Sequence, residues 1–290
     1  MTNQSKRWEF VPGSEINVDG HILRRIRALV NMPEHDVKAG DLGGYVENEA
    51  NLPKNSRAWI FNSAQVYGDA HVYGDAQVFD YAWVSDYAQV YGGARVYGNA
   101  QVYGNAHVYG NAHVYGCARV YGGAWVHGDA RVHGGAQVYG KAKVVDYAHV
   151  YGDAQVFDYA WVSDYAQVYG GARVYDDVWV YNSARIYDDA RVYSAAHVYN
   201  HAWVGGDAVI CDSADWIHVG PSAASRRFTT AHRDAELGVR VNCGCFSGSL
   251  AEFASAIEKT HQNRPQDLAR YRAFHRLIVD VFGKENTNAE

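Results

Sequence analysis

A parallel β-helix of short strands, capped at both ends, is the mainly β fold class that this 290-residue sequence predicts, on three observations. From Ile60 to Ile210 every sixth residue is Val or Ile, 26 sites without one insertion or deletion. Two residues before each site, from Ala58 to Ala208, stands Ala, with Val178 the one departure. Two residues after each site stand 14 Gly, 8 Asp, 3 Asn and one Ser, Ser194. Ala-x-Val is a period-two fragment with two small apolar side chains on one face. Gly, Asn and Asp tolerate the left-handed backbone of a corner, where a bulkier side chain clashes. Strand, corner, strand is the grammar of a solenoid. All five prolines lie outside the array, consistent with a ladder that needs every amide.

The hexad V-x-x-x-A-x, an aliphatic residue with a small one four later, resembles the signature of the left-handed parallel β-helix family. In that family three hexads close a triangular coil. The resemblance covers residues 58–215 and implies a left-handed rod of about nine coils, stacked at ~4.8 Å and roughly 40 Å long. One departure stands out. Where the family usually has a small or acidic residue after the aliphatic one, this chain has Tyr at 16 of 26 positions.

In such a coil those tyrosines form ladders near the corners, which stabilise the rod by ring stacking. The outward mid-strand residue is drawn from Gln, His, Arg, Lys and Trp, and one side aligns Trp125, Lys143, Trp161 and Trp179. Exposed Trp125, Trp161 and Trp179 in one row suit an interface with a protein partner or a second copy of the chain. Residues 70–97 and 148–175 are identical, and the 78-residue offset is thirteen hexads. Thirteen is not a multiple of three, so the copy lands on the next side of the triangle. The array therefore reads as a scaffold that sets length.

Residues 1–57 read as an N-terminal β cap with a hairpin turn at Asp19-Gly20. The stretch LRRIRALVNMPEHDVKAGDLGGYVENEANL, followed by RAWI, resembles the opening of YdcK-like hexapeptide-repeat proteins, with Gly40, Gly43 and Gly44 carrying the likeness. Residues 216–283 read as a small α+β domain. WIHVG, RRFTTAHRD and VRVNCGCF are its strands, and a capping box from Ser249 to Glu252 opens a helix to about His261. A second helix follows Pro265 to about Phe282, with Leu268, Tyr271, Leu277, Ile278 and Val281 on its apolar face. Residues 284–290 read as a disordered tail. WIHVGP, TTAHRD and VRVNCGCFSGSLAEF together resemble a C-terminal module of phage and prophage proteins.

The net charge is −6, split as −8 over residues 58–215 and +2 over the ends. That mild acidity argues against a nucleic-acid partner, and no run of eighteen apolar residues supports a membrane span. The start shows no signal-peptide core, and the four cysteines make no disulfide framework, so the expected compartment is the cytoplasm.

Cys243-Gly-Cys245 is a candidate metal pair, but the spacing is not that of ordinary zinc modules, and the plainer expectation is two half-buried cysteines on one strand. The leading functional expectation is a non-enzymatic, cofactor-free structural or interaction protein, with recognition at the C-terminal domain. The alternative comes from resemblance. Many left-handed β-helix proteins resemble acetyl-CoA-dependent acyltransferases that work as trimers with a His base between subunits. His107, His113, His127 and His133 are the candidates for that role, although 26 unbroken hexads leave no extruded loop to shape an acceptor site.

Overall fold

The computed structural model describes residues 6–54, 56–221 and 227–283, so the terminal segment read as a disordered tail lies outside the described residues. The chain begins with antiparallel strands at Trp8–Phe10, Ile16–Val18, His21–Ala28 and Leu42–Val46. The expected hairpin turn is present, with φ of 51° at Asp19 and 91° at Gly20. Leu42–Val46 then pairs in parallel with Gln65–Val66, so the cap's sheet runs directly into one side of the solenoid. Gly43 and Gly44 make this junction possible. A Cβ on Gly43 would lie 2.6 Å from Ile26 Cγ1, and one on Gly44 2.5 Å from the Ala64 carbonyl oxygen. The fully buried Asn51 amide seals another side, donating to the carbonyls of Gly68 at 2.8 Å and Ala70 at 2.9 Å.

The array consists of 26 two-residue strands, from Trp59–Ile60 to Val209–Ile210. They stack in three parallel sheets, each strand pairing with the third one along, which makes a β-solenoid of about nine turns. The register is eighteen residues throughout, as in Gln89 opposite His107 and Val90 opposite Val108. Each hexad sends amides to the next coil. Arg95 bonds to Ala112 at 2.9 Å, Tyr97 to Val114 at 2.9 Å and Asn99 to Gly116 at 2.7 Å. The aliphatic column from Ile60 to Ile210 is fully buried, as are its alanines from Ala64 to Ala208. At ~1.5–2 kcal/mol for each Val removed from water, this column is the main stabilising term of the rod.

Corners confirm the reason for Gly, Asp and Asn. Of the 26 corner positions, 25 have positive φ, from Asn62 to Gly206. The exception is Asp212, at φ −139°, which leaves the series to cap the 3-10 turn Ser213–Asp215. At six of the Asp corners the carboxylate accepts the amide of the corner one coil on. Gly98 N–H donates to Asp80 at 3.1 Å, Gly104 to Asp86 at 2.9 Å, Asn182 to Asp164 at 2.8 Å and Ser194 to Asp176 at 3.0 Å. A corner Asp thus supplies the acceptor that a corner Gly lacks.

The last unit is a four-stranded antiparallel sheet, Trp216–Val219, Thr229–Asp234, Gly238–Cys243 and Phe246–Ser249. Helix α1 (Leu250–His261) and helix α2 (Pro265–Phe282) pack against it, and the Ser249–Glu252 capping box is present. Its core holds Ala231, Val241, Phe253, Ile257, Tyr271, Ile278 and Phe282. Here the expected face of α2 needs correction: Tyr271 and Ile278 are inside, Phe282 joins them, and Leu277 and Val281 are exposed. Asp267, Tyr271, Ile278 and Phe282 follow the helical period around a face that the sequence pattern placed about one position away.

Two substitutions test this scheme. Gly110→Val forces a branched side chain into φ +67°, with its Cβ 2.9 Å from Gly128 N, and is expected to destabilise the chain by at least ~1–2 kcal/mol. Gly110→Asp, which imitates seven natural corners, is expected to cost less than half as much in urea unfolding.

Candidate functional site

The array histidines are held by rings rather than by acids. His107 and His113 occupy outward mid-strand slots on two different sides of the solenoid. His107 tilts against Trp125 at 5.3 Å and meets Tyr91 edge-on, and His113 meets Tyr97 edge-on. His127 and His133 are rungs in two tyrosine ladders, stacked on Tyr109 and Tyr115, each at 4.6 Å. Partial burial lowers the pKa of all four, and Arg95 and Arg131 add to the effect at His113. Among the described hydrogen bonds and ion pairs, none of the four is held by a carboxylate. They fall in two pairs, His107 with His127 and His113 with His133, each pair on adjacent coils of one side.

The tryptophan row is in register: His107, Trp125, Lys143, Trp161, Trp179 and His197 face one another in sequence. Trp125 and Trp179 are 41% and 46% exposed, whereas Trp161, expected to be exposed with them, is half-buried between Lys143 and Trp179. Lys143 Nζ lies over both flanking indoles, 5.7 Å from Trp125 and 4.6 Å from Trp161, which orders the row.

The expectation for the cysteines needs correction. Cys243 ends its strand and pairs with Phe246, while Gly244, at φ +62°, turns the chain. Cys243 is half-buried and accepts from the Thr229 hydroxyl at 3.2 Å, but Cys245 sits exposed in the turn. Among the described residues no group of three or more His, Cys, Asp or Glu is placed to hold a metal ion. Both cysteines border a mostly apolar cleft of about 250 Å³ between the hairpin and the helices. Phe246 and Ile257 form its walls, and Arg227, Arg264 and His261 bring polarity. His261 stacks on Tyr271 at 4.7 Å, and its buried Nδ1 has no hydrogen-bond partner among the described residues.

A third cluster was missed by sequence reasoning. Thr229, Thr230, His232, Asp234 and Asn242 are all buried, most of them against the last coil. Three of them, Thr230, His232 and Asn242, satisfy backbone groups that a solenoid end leaves open. Thr230 Oγ1 accepts from Trp203 N–H at 3.2 Å, and Asn242 Nδ2 donates to the Trp203 carbonyl at 2.9 Å. Gly205 N–H donates to His232 Nε2 at 3.4 Å. Trp216 is buried in the solenoid's core cluster and donates to the His197 carbonyl at 2.9 Å. The available signal was the alternation of polar residues at Thr230, His232 and Asp234 on one strand face.

His232 works here only as neutral imidazole, its Nδ1 donating to the Arg233 carbonyl at 3.0 Å and its Nε2 accepting. Burial pushes its pKa down to about 4, and burial with His201 nearby does the same to His218. A folded pKa below the unfolded value means that the unfolded chain takes up the proton first. The stability is therefore complete above about pH 6.5 and is lost as pH falls toward 4, on the order of 3 kcal/mol for His232 alone. Intrinsic-rate-corrected hydrogen exchange is expected to accelerate at residues 203–210 over that window. His232→Phe, without the acceptor, is expected to flatten the response.

Among the described residues no helix is long and apolar enough to cross a membrane. No curated protein matches the chain. The family model described as "YdcK Beta solenoid repeat" matches residues 64–80, 100–116, 166–182 and 184–200, and over these stretches the array is similar to that repeat.

Proposed function

We propose that the chain is a non-enzymatic rod of set length whose recognition element is the C-terminal domain. One contrast carries this reading. The four candidate histidines fall in two pairs on two sides and pack on rings, whereas the cleft of the C-terminal domain gathers apolar walls, two arginines and an imidazole nitrogen without a hydrogen-bond partner among the described residues. No carboxylate lines that cleft among the described residues, so the group that suits it is an apolar side chain or chain end bearing negative charge on a partner protein. The likeness of residues 216–253 to a module of phage and prophage proteins supports a phage-associated setting, with the cytoplasm as its compartment. The alternative, an acyl-CoA-dependent trimer, draws its support from the likeness of the hexads to acyltransferases.

Two measurements separate these readings. Calorimetry with acetyl-CoA is expected to show no saturable heat, and a photocrosslinker at Ala256 is expected to capture a partner in a manner abolished by Arg264→Glu. A crosslinker at Gln137, mid-array, is expected to capture none. Saturable acetyl-CoA binding that disappears in His107→Ala or His113→Ala would overturn the scaffold reading.

A further inference from the structure

The two identical segments, residues 70–97 and 148–175, do not present identical surfaces. Each replaces a tyrosine rung by serine, at Ser85 and Ser163. In the first copy the rungs one coil to either side are Tyr67 and Tyr103. The Trp83 indole occupies the gap between them, stacked on Tyr67 at 6.2 Å and on Tyr103 at 5.6 Å, each at 22°. Ser85 beneath it is 3% exposed.

The second copy lies on another side of the solenoid, where the residues eighteen away differ. Below Ser163 stands Val145, which offers no ring to stack on. Trp161 instead tilts at 34° against Trp179 and lies under Lys143. Ser163 is left partly exposed, at the floor of a shallow cleft of about 410 Å³ lined by Trp161, Trp179, Tyr181, Asp146 and Asp164. The first copy shows what fills such a notch: a planar aromatic ring.

A source of rings stands beside it. Across the Asp146 and Asp164 corners, Tyr147 and Tyr165 are 50% and 62% exposed and stack on each other at 5.1 Å and 7°. One edge of the solenoid therefore carries a notch on one flank and an aromatic ridge on the other, in the same two coils. A two-fold axis parallel to the rod exchanges these flanks. It brings the ridge of each copy to the notch of the other and makes every contact twice. Tyrosine suits the acidic rim, because a neutral phenol can donate to Asp146 and Asp164 without charge repulsion.

We propose that this edge is a self-association surface, and that the occupant of the Ser163 notch is the Tyr147–Tyr165 ridge of a second copy of the chain in parallel orientation. Sedimentation equilibrium of the full chain over a hundredfold concentration range tests it. The wild type is expected to dimerise. Ser163→Tyr, which restores a rung that is Tyr at 16 of 26 positions, is expected to weaken association at least tenfold, with an unchanged melting temperature at dilutions where both proteins are monomeric. The double variant Tyr147→Ser/Tyr165→Ser is expected to do the same. An equimolar mixture of the two variants keeps one intact ridge and one intact notch, and is expected to associate more tightly than either alone. A wild type that stays monomeric throughout, or a dimer indifferent to Ser163→Tyr, overturns the proposal. So does a monomer whose tryptophan fluorescence is quenched by a soluble oligosaccharide, an outcome that assigns the cleft to a sugar.

Discussion

Everything in the rod depends on a left-handed backbone turn recurring every six residues. With that turn in place, each residue lies over the one eighteen positions earlier, and the amides of each coil find carbonyls in the next. A single corner that cannot adopt positive φ would displace every strand beyond it. The corner composition, restricted to Gly, Asp, Asn and one Ser, follows from this steric requirement. Burial of Val and Ala then stabilises a geometry that the corners have already selected.

Stacking at the strand spacing also explains the aromatic excess. Tyr73, Tyr91 and Tyr109 lie 4.8 Å apart and within 3° of parallel, a separation set by the inter-strand hydrogen bonds rather than by the rings. The rings accept that spacing and shield the corner beneath them. They also raise the pKa of most ladder tyrosines through partial burial, so the ladders stay uncharged and free of internal repulsion.

Much of this was legible in the sequence, because a solenoid converts linear periodicity directly into spatial adjacency. Ile60 to Ile210 could be assigned to the core, Trp125 to Trp179 to one row, and Asp19-Gly20 to a turn, all from spacing. Less was legible where contacts are not periodic. Nothing in the spacing of Thr230, His232 and Asn242 says that they meet the last coil, since their partners, Trp203 and Gly205, are set by how one domain docks on another. The Cys243–Cys245 turn was misread for a related reason. Alternation suggests a continuing strand, and the left-handed Gly244 that ends it is one glycine among 29. The C-terminal cleft, assembled from a hairpin and two helices, leaves no linear pattern at all.

The duplicated segment carries an implication for how such a chain acquires surfaces. Residues 83–87 and 161–165 are the same five letters, yet Ser85 is covered and Ser163 is left partly exposed, because the deciding neighbours lie a full coil away. In a solenoid the meaning of a hexad is contextual. Copying a block by a number of hexads not divisible by three re-pairs old side chains with new neighbours, while the column of valines notices nothing. Replication slippage alone can then write a new surface onto a finished fold without a single substitution, while the buried Val and Ala column keeps its register.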